Sequence, residues 1–221
     1  MSNTSKHNYY KAPAESLISQ ESDSGTLAQQ VELDRTLMRL LAIPLFAMFT
    51  AFGAQIAVPT PPFGIPVTLQ TLVVLLAAMS LGPRLGASSM ILYLFMGILG
   101  FGVFAEGEAG WQTIIGQTGG YLLGFIICQP VAHKLIKDRN GKIRGWLALF
   151  LAGIAVHLVI FIFGVPWLWW IHNIDPEVAP ITMGYAIRHG FVAFIPGILL
   201  KSGIAAGIAV WFLPSVARKL W

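Results

Sequence analysis

The chain has 221 residues, 56% of them apolar and only 11% charged, where a soluble domain carries about 25% charged residues; folded in water it could not cover its surface with polar groups. Its net charge of +4 is no nucleic-acid footprint, because no basic stripe alternates with groove-reading polar residues. One cysteine, Cys128, excludes an internal disulfide and a thiolate metal site, and within its apolar run it reads as a small buried hydrophobe.

Residues 1–36 are polar, rich in Ser, Gln, Lys and Glu. They lack the apolar core of a signal peptide, and a disordered or loosely helical cytoplasmic tail is expected. Residues 37–221 hold six stretches apolar enough to cross a bilayer core, which takes about 17–25 helical residues. They run near Leu37–Ala57, Pro66–Leu81, Leu85–Phe101, Thr118–Leu135, Trp146–Leu168 and Pro196–Phe212. The fold expected is an all-α membrane protein, a compact bundle of about six transmembrane helices. Gly82-Pro83-Arg84 makes the second and third an antiparallel hairpin. The tryptophans (111, 146, 167, 169, 170, 211 and 221) fall near span ends, as interfacial anchors do.

Loop charge sets the orientation. Twelve of the fourteen Lys and Arg residues lie in the tail and first helix end, at Arg84, in the Lys134–Arg144 connector and at the C-terminus. The opposite connectors hold Glu106, Glu108, Asp175 and Glu177 against Arg188 alone. By the positive-inside rule both termini are cytoplasmic, in a multi-pass protein of the plasma (inner) membrane. The outward connectors are long and rich in Pro, Gly and aromatics, and ordered loops on a rigid scaffold are where binding concentrates.

No motif for catalysis is present: no H-E-x-x-H, no G-x-S-x-G, no phosphate-binding loop, no paired intramembrane acids. A non-enzyme without metal or cofactor is expected. His157, mid-span, reads as a core histidine hydrogen-bonded across helices. Lys201 stands apart as the one Lys or Arg well within a span. A cation there costs about 2.5–3.5 kcal/mol on insertion scales and calls for an aqueous cavity or a counter-ion. Positions 197, 198, 204 and 205 hold no acid, so an anionic ligand group is the natural partner, against the alternative of a lysine snorkelling to the headgroups. With Pro196 opening the helix, Lys201 is expected about one turn in, near unpaired backbone N–H groups. Gly119 and Gly120 open the fourth span beside Tyr121 and permit close approach of a helix or a ligand. Ala47 and Ala51 form a small-x-x-x-small pair suited to close helix contact.

Four motifs then fall in order: Pro66-Val67-Thr68-Leu69-Gln70-Thr71-Leu72, Leu81-Gly82-Pro83-Arg84-Leu85-Gly86-Ala87, Gly116–Gly124, and Phe194-Ile195-Pro196-Gly197 with Lys201. From about Leu37 to Phe212 the chain resembles the BioY family, the biotin-binding subunits (S components) of energy-coupling-factor (ECF) transporters. The resemblance implies capture of biotin from the outer side and inward delivery with a transmembrane coupling subunit and ATPase subunits. Biotin would be the transported ligand. By the same resemblance Lys201 would meet its carboxylate, Tyr121 with Gly119 and Gly120 the ureido ring, and Thr68 and Gln70 the site rim, though Thr68 also suits a helix cap. Ala47 and Ala51 would be the docking face for the coupling subunit. Two positions depart from the family pattern, Ile198 where an Asp is usual and Gln117 where Pro is common. A capture subunit or permease for another small carboxylate vitamin is the alternative.

Overall fold

The computed structural model describes residues 14–63, 65–138, 142–176 and 178–220. The chain divides into Met1–Met38 and Arg39–Trp221. In the first, residues 1–13 of the expected tail lie outside the described residues, and the backbone is helical from Ala14 onward. The second carries everything below.

Each expected span is a helix or a broken pair of helices. They are α1 (Ala14–Gln55), α2 (Gln70–Ser80), α3 (Gly82–Ile98), α5 and α6 (Gly119–Ile127 and Gln129–Leu135), α7 (Trp146–Ile174) and α9 (Ile195–Leu220), with short α4 (Trp111–Ile115) and α8 (Met183–Gly190) in the connectors. Among the described residues, three stretches, Gln29–Gln55, Trp146–Ile174 and Met183–Ser215, are individually long and apolar enough to cross a membrane. The second span departs from expectation. Its first residues are not helical, because Val67–Thr68 (β2) pair antiparallel with Ala57–Val58 (β1). That leaves α2 with 11 residues, about 16 Å of helix in a core of about 30 Å.

Local sequence explains the breaks. Gly82 has φ +76°, a left-handed conformation that glycine alone adopts without strain, and Pro83 occupies the first turn of α3. Pro130 has no N–H to continue the α5 ladder, so the helix breaks at Cys128.

Small residues then set the packing. A Cβ on Gly120 would stand 2.3 Å from Trp167 Cβ and 2.6 Å from Phe163 O, and one on Gly124 2.8 Å from Ile160 Cα. On the facing helix, a Cβ on Gly164 would strike the Tyr121 ring at 2.3 Å. Helices α5 and α7 therefore meet along a glycine seam, the close approach that small residues allow in membranes. Leu45, Met48, Phe52, Leu200, Trp211 and Phe212 are exposed, as lipid-facing side chains are.

The connectors at one end are tied together. Gln55 Nε2 donates to Phe104 O at 3.1 Å, Trp167 Nε1 to Gly116 O at 2.8 Å, and the Phe63 ring meets those of His172, Tyr185 and His189 edge-on. This braced end roofs the cavity described next.

Candidate functional site: a cavity beneath the braced loops

The first turn of α2, the start of α5, the middle of α7, the first turns of α9 and the 105–108 loop surround a cavity with about 850 Å³ of empty space, partly continuous with solvent. Its apolar wall is Leu122, Phe125, Ile160, Phe161, Phe194 and Ile198. The Phe161 ring holds that wall in place, meeting Tyr121 at 5.5 Å, Phe191 at 5.1 Å and Phe194 at 5.5 Å between centroids.

Four of the sequence-expected residues, Thr68, Gln70, Tyr121 and Lys201, line this one cavity, although they come from three separated segments. Lys201 is 8% exposed, and its Nζ donates to Thr71 Oγ1 at 2.9 Å. Gly197, one turn back, leaves room for the lysine stem, its would-be Cβ lying 3.9 Å from Nζ. Thr68 lines the cavity just ahead of Leu69, the N-cap residue of α2, which makes no side-chain cap hydrogen bond. The Thr68 hydroxyl accepts from Gln70 N at 3.3 Å and donates to Gln70 Oε1 at 2.9 Å. Gln70 Nε2 in turn donates to the Tyr93 hydroxyl, which donates to Val103 O at 3.1 Å. The polar rim is thus pre-organised by a continuous hydrogen-bond chain.

Tyr121 lines the cavity with its ring, while its hydroxyl donates to Gly190 O at 2.9 Å. Its one donor is committed, so toward a ligand it offers an aromatic face and an acceptor oxygen.

Other expectations need correction. Gly119 and Gly120 do not line the cavity: a Cβ on Gly119 would meet Ile114 O at 1.8 Å and one on Gly120 would meet α7. The pair serves packing. Ala47 is fully buried and Ala51 is 8% exposed, so neither offers surface to a docking partner; their small size instead seats α1 in this chain's own core. Lys201 is the seventh residue of α9, about 9 Å along the helix and in its second turn. Its side chain nonetheless runs back toward the helix start, where a Cβ on Gly197 in the first turn would stand 3.9 Å from Nζ. Sequence reasoning missed Thr71 as a site residue, although it sits inside a quoted motif. His157 is buried, as expected of a core histidine, at 1% exposure; what the sequence did not disclose is that it also lines the cavity.

Comparison with known proteins agrees with this architecture. A biotin transporter BioY of Thermotoga maritima is 32% identical over 172 residues, covering 78% of this chain and 94% of its own length. A biotin transporter BioY of Rhodobacter capsulatus is 33% identical over 194 residues, covering 84% and 97%. A probable biotin transporter BioY of Pyrococcus horikoshii is 39% identical over 127 residues, covering 58% and 70%. Among solved structures, the S-component for biotin from an ECF-type ABC transporter superposes with a TM-score of 0.66 at 20% identity, over 78% of this chain and 89% of that one, a likeness of fold. The BioY family profile matches residues 25–218, nearly the whole chain, and the protein belongs to the BioY family.

Proposed function

We propose that this protein is a membrane-embedded capture subunit for biotin uptake. It binds biotin from the outer side of the plasma (inner) membrane, with both termini cytoplasmic, and delivers it inward with an ECF-type coupling subunit and ATPase subunits. The observation that carries the reading is Lys201: a buried ammonium, held by a neutral hydroxyl, in the wall of a largely apolar cavity. A buried charge calls for an opposite one, and a ligand that is apolar along its length with one terminal carboxylate satisfies both features. Biotin is such a molecule, its bicyclic ring and valeryl chain suiting the phenylalanine and isoleucine wall. The names of the relatives, biotin transporters throughout, support the same ligand.

The test is binding of labelled biotin to the purified chain in detergent, with competition by unlabelled biotin and by lipoate, another apolar carboxylate vitamin. Saturable binding displaced by biotin and not by lipoate is expected. Displacement by lipoate alone would assign the cavity to a different vitamin.

A further inference from the structure

We propose that His157 is a ligand-contacting residue whose Nε2 accepts a hydrogen bond from a ureido N–H of biotin, an inference that rests on the biotin reading above. His157 sits mid-span in α7, 1% exposed, and lines the cavity that holds Lys201. Its Nδ1 lies 2.9 Å from the carbonyl oxygen of Gly153, one turn back on the same helix. A carbonyl only accepts, so Nδ1 carries the ring hydrogen. The Ser202 hydroxyl, 3.4 Å from the same nitrogen, is at the margin of hydrogen bonding. The neutral ring therefore holds its lone pair at Nε2, on the edge turned away from the α7 backbone. That nitrogen is buried and has no hydrogen-bond partner.

The other buried polar groups of the wall are already engaged. Lys201 is on Thr71, Thr68 and Gln70 are on each other and on Tyr93, and Tyr121 is on Gly190. Among the described residues, His157 Nε2 is the one buried side-chain nitrogen or oxygen in the cavity wall that lacks a partner. Buried acceptors are ordinarily satisfied, and one left open is costly. Ile198 lines the same cavity one turn before Lys201 and brings no polar side-chain atom.

Biotin's own chemistry identifies which group fits. Its ionised carboxylate, ureido carbonyl and thioether sulfur all accept; only the two ureido N–H groups donate. An acceptor in the wall therefore reads the ureido ring, while Lys201 is left for the carboxylate.

Binding of labelled biotin to the full chain in detergent tests this, with wild type, His157→Phe and His157→Gln measured against biotin, its methyl ester and a biotin methylated on each ureido nitrogen in turn. His157→Phe should weaken biotin and its methyl ester alike, by about three- to tenfold, the worth of one hydrogen bond. It should weaken one of the two N-methylated ligands far less, because that ligand has already lost the donor. His157→Gln, which keeps an acceptor, should recover part of the loss. Unchanged biotin affinity in His157→Phe, or equal losses on every ligand, overturns the proposal while leaving the biotin reading intact. Absence of biotin binding by the unaltered chain overturns both. Should His157→Phe not fold, the unaltered chain labelled with imidazole ¹⁵N decides. Biotin should shift the Nε2 resonance that one N-methylated analogue leaves unmoved, and no shift with biotin refutes the contact.

Discussion

Lys201 Nζ donates to Thr71 Oγ1 at 2.9 Å, a hydrogen bond between residues 130 positions apart that fastens α9 to the first turn of α2 across the cavity. Thr71 therefore aims the ammonium without neutralising it. Thr71→Val keeps the volume and deletes the hydroxyl, leaving one ammonium hydrogen free to swing. Biotin affinity should fall by about 0.5–1.5 kcal/mol, the net worth of a hydrogen bond, read by equilibrium binding. Full affinity in Thr71→Val would show that Lys201 is aimed by other contacts.

The glycine seam gives a stability prediction. Gly120→Ala drives a Cβ to 2.3 Å from Trp167 Cβ and 2.6 Å from the Phe163 carbonyl, and backbone cannot yield cheaply. A loss of about 1–3 kcal/mol, the usual cost of overpacking, should appear as a lower melting temperature in detergent. Gly207→Ala, where a Cβ meets nothing within 4 Å, should melt at or above wild type, since Ala is the better helix former by up to about 1 kcal/mol. Equal melting of the two variants would disprove the seam.

These residues also show what the sequence could and could not disclose. Lys201 was legible because a lone cation in an apolar helix has few physical explanations, and the span pattern was legible because apolar runs and loop charge are long-range signals. Thr71 was hidden, since a threonine in the first turn of an apolar helix has many ordinary uses. Small residues at positions 47, 51, 119 and 120 announced close approach but not its partner; that depends on which helix face meets which neighbour, and a spacing of four leaves the face undetermined. The start of α2 was misplaced because the pairing of Val67–Thr68 with Ala57–Val58 is a tertiary event over too few residues to leave a period. His157 looked like a core residue because its burial is real; only the missing partner at its second nitrogen marks it out.

Orientation follows from loop charge. Lys142 and Glu108 are both exposed and lie in connectors predicted on opposite sides. On a Cys128→Ala background, Glu108→Cys should react with an impermeant thiol reagent added outside intact cells, and Lys142→Cys only after the membrane is opened. Outside labelling of position 142 would invert the topology and place the cavity mouth on the cytoplasmic side.

The burial of Ala47 changes what its enlargement should do. As a docking-face residue it would tolerate Leu in the isolated chain and fail only in assembly. Being fully buried, Ala47→Leu should instead lower the melting temperature of the isolated chain, an overpacking cost of about 1–3 kcal/mol. Met48→Ala, at a side chain 56% exposed on the same helix, should leave folding unchanged. A normal melt for Ala47→Leu would return that residue to the candidate docking surface.

The charge of Lys201 gives the sharpest test of ligand orientation. If the ammonium meets the biotin carboxylate, Lys201→Ala removes a charge-assisted hydrogen bond worth about 1.5–3 kcal/mol. Biotin methyl ester has no charge to lose, so the same substitution should cost it much less, and the preference of wild type for the acid over the ester should largely vanish in the variant. Ile198→Asp tests the same electrostatics from the other direction. One turn before Lys201 on α9, a carboxylate there would pair with the ammonium and compete with the ligand, lowering affinity for the acid more than for the ester. Both comparisons use ratios between two ligands on one protein, so a general loss of folded material cancels. Equal weakening of acid and ester by Lys201→Ala would mean that Lys201 supports the cavity without reading the carboxylate, and the ligand would then have to sit the other way round.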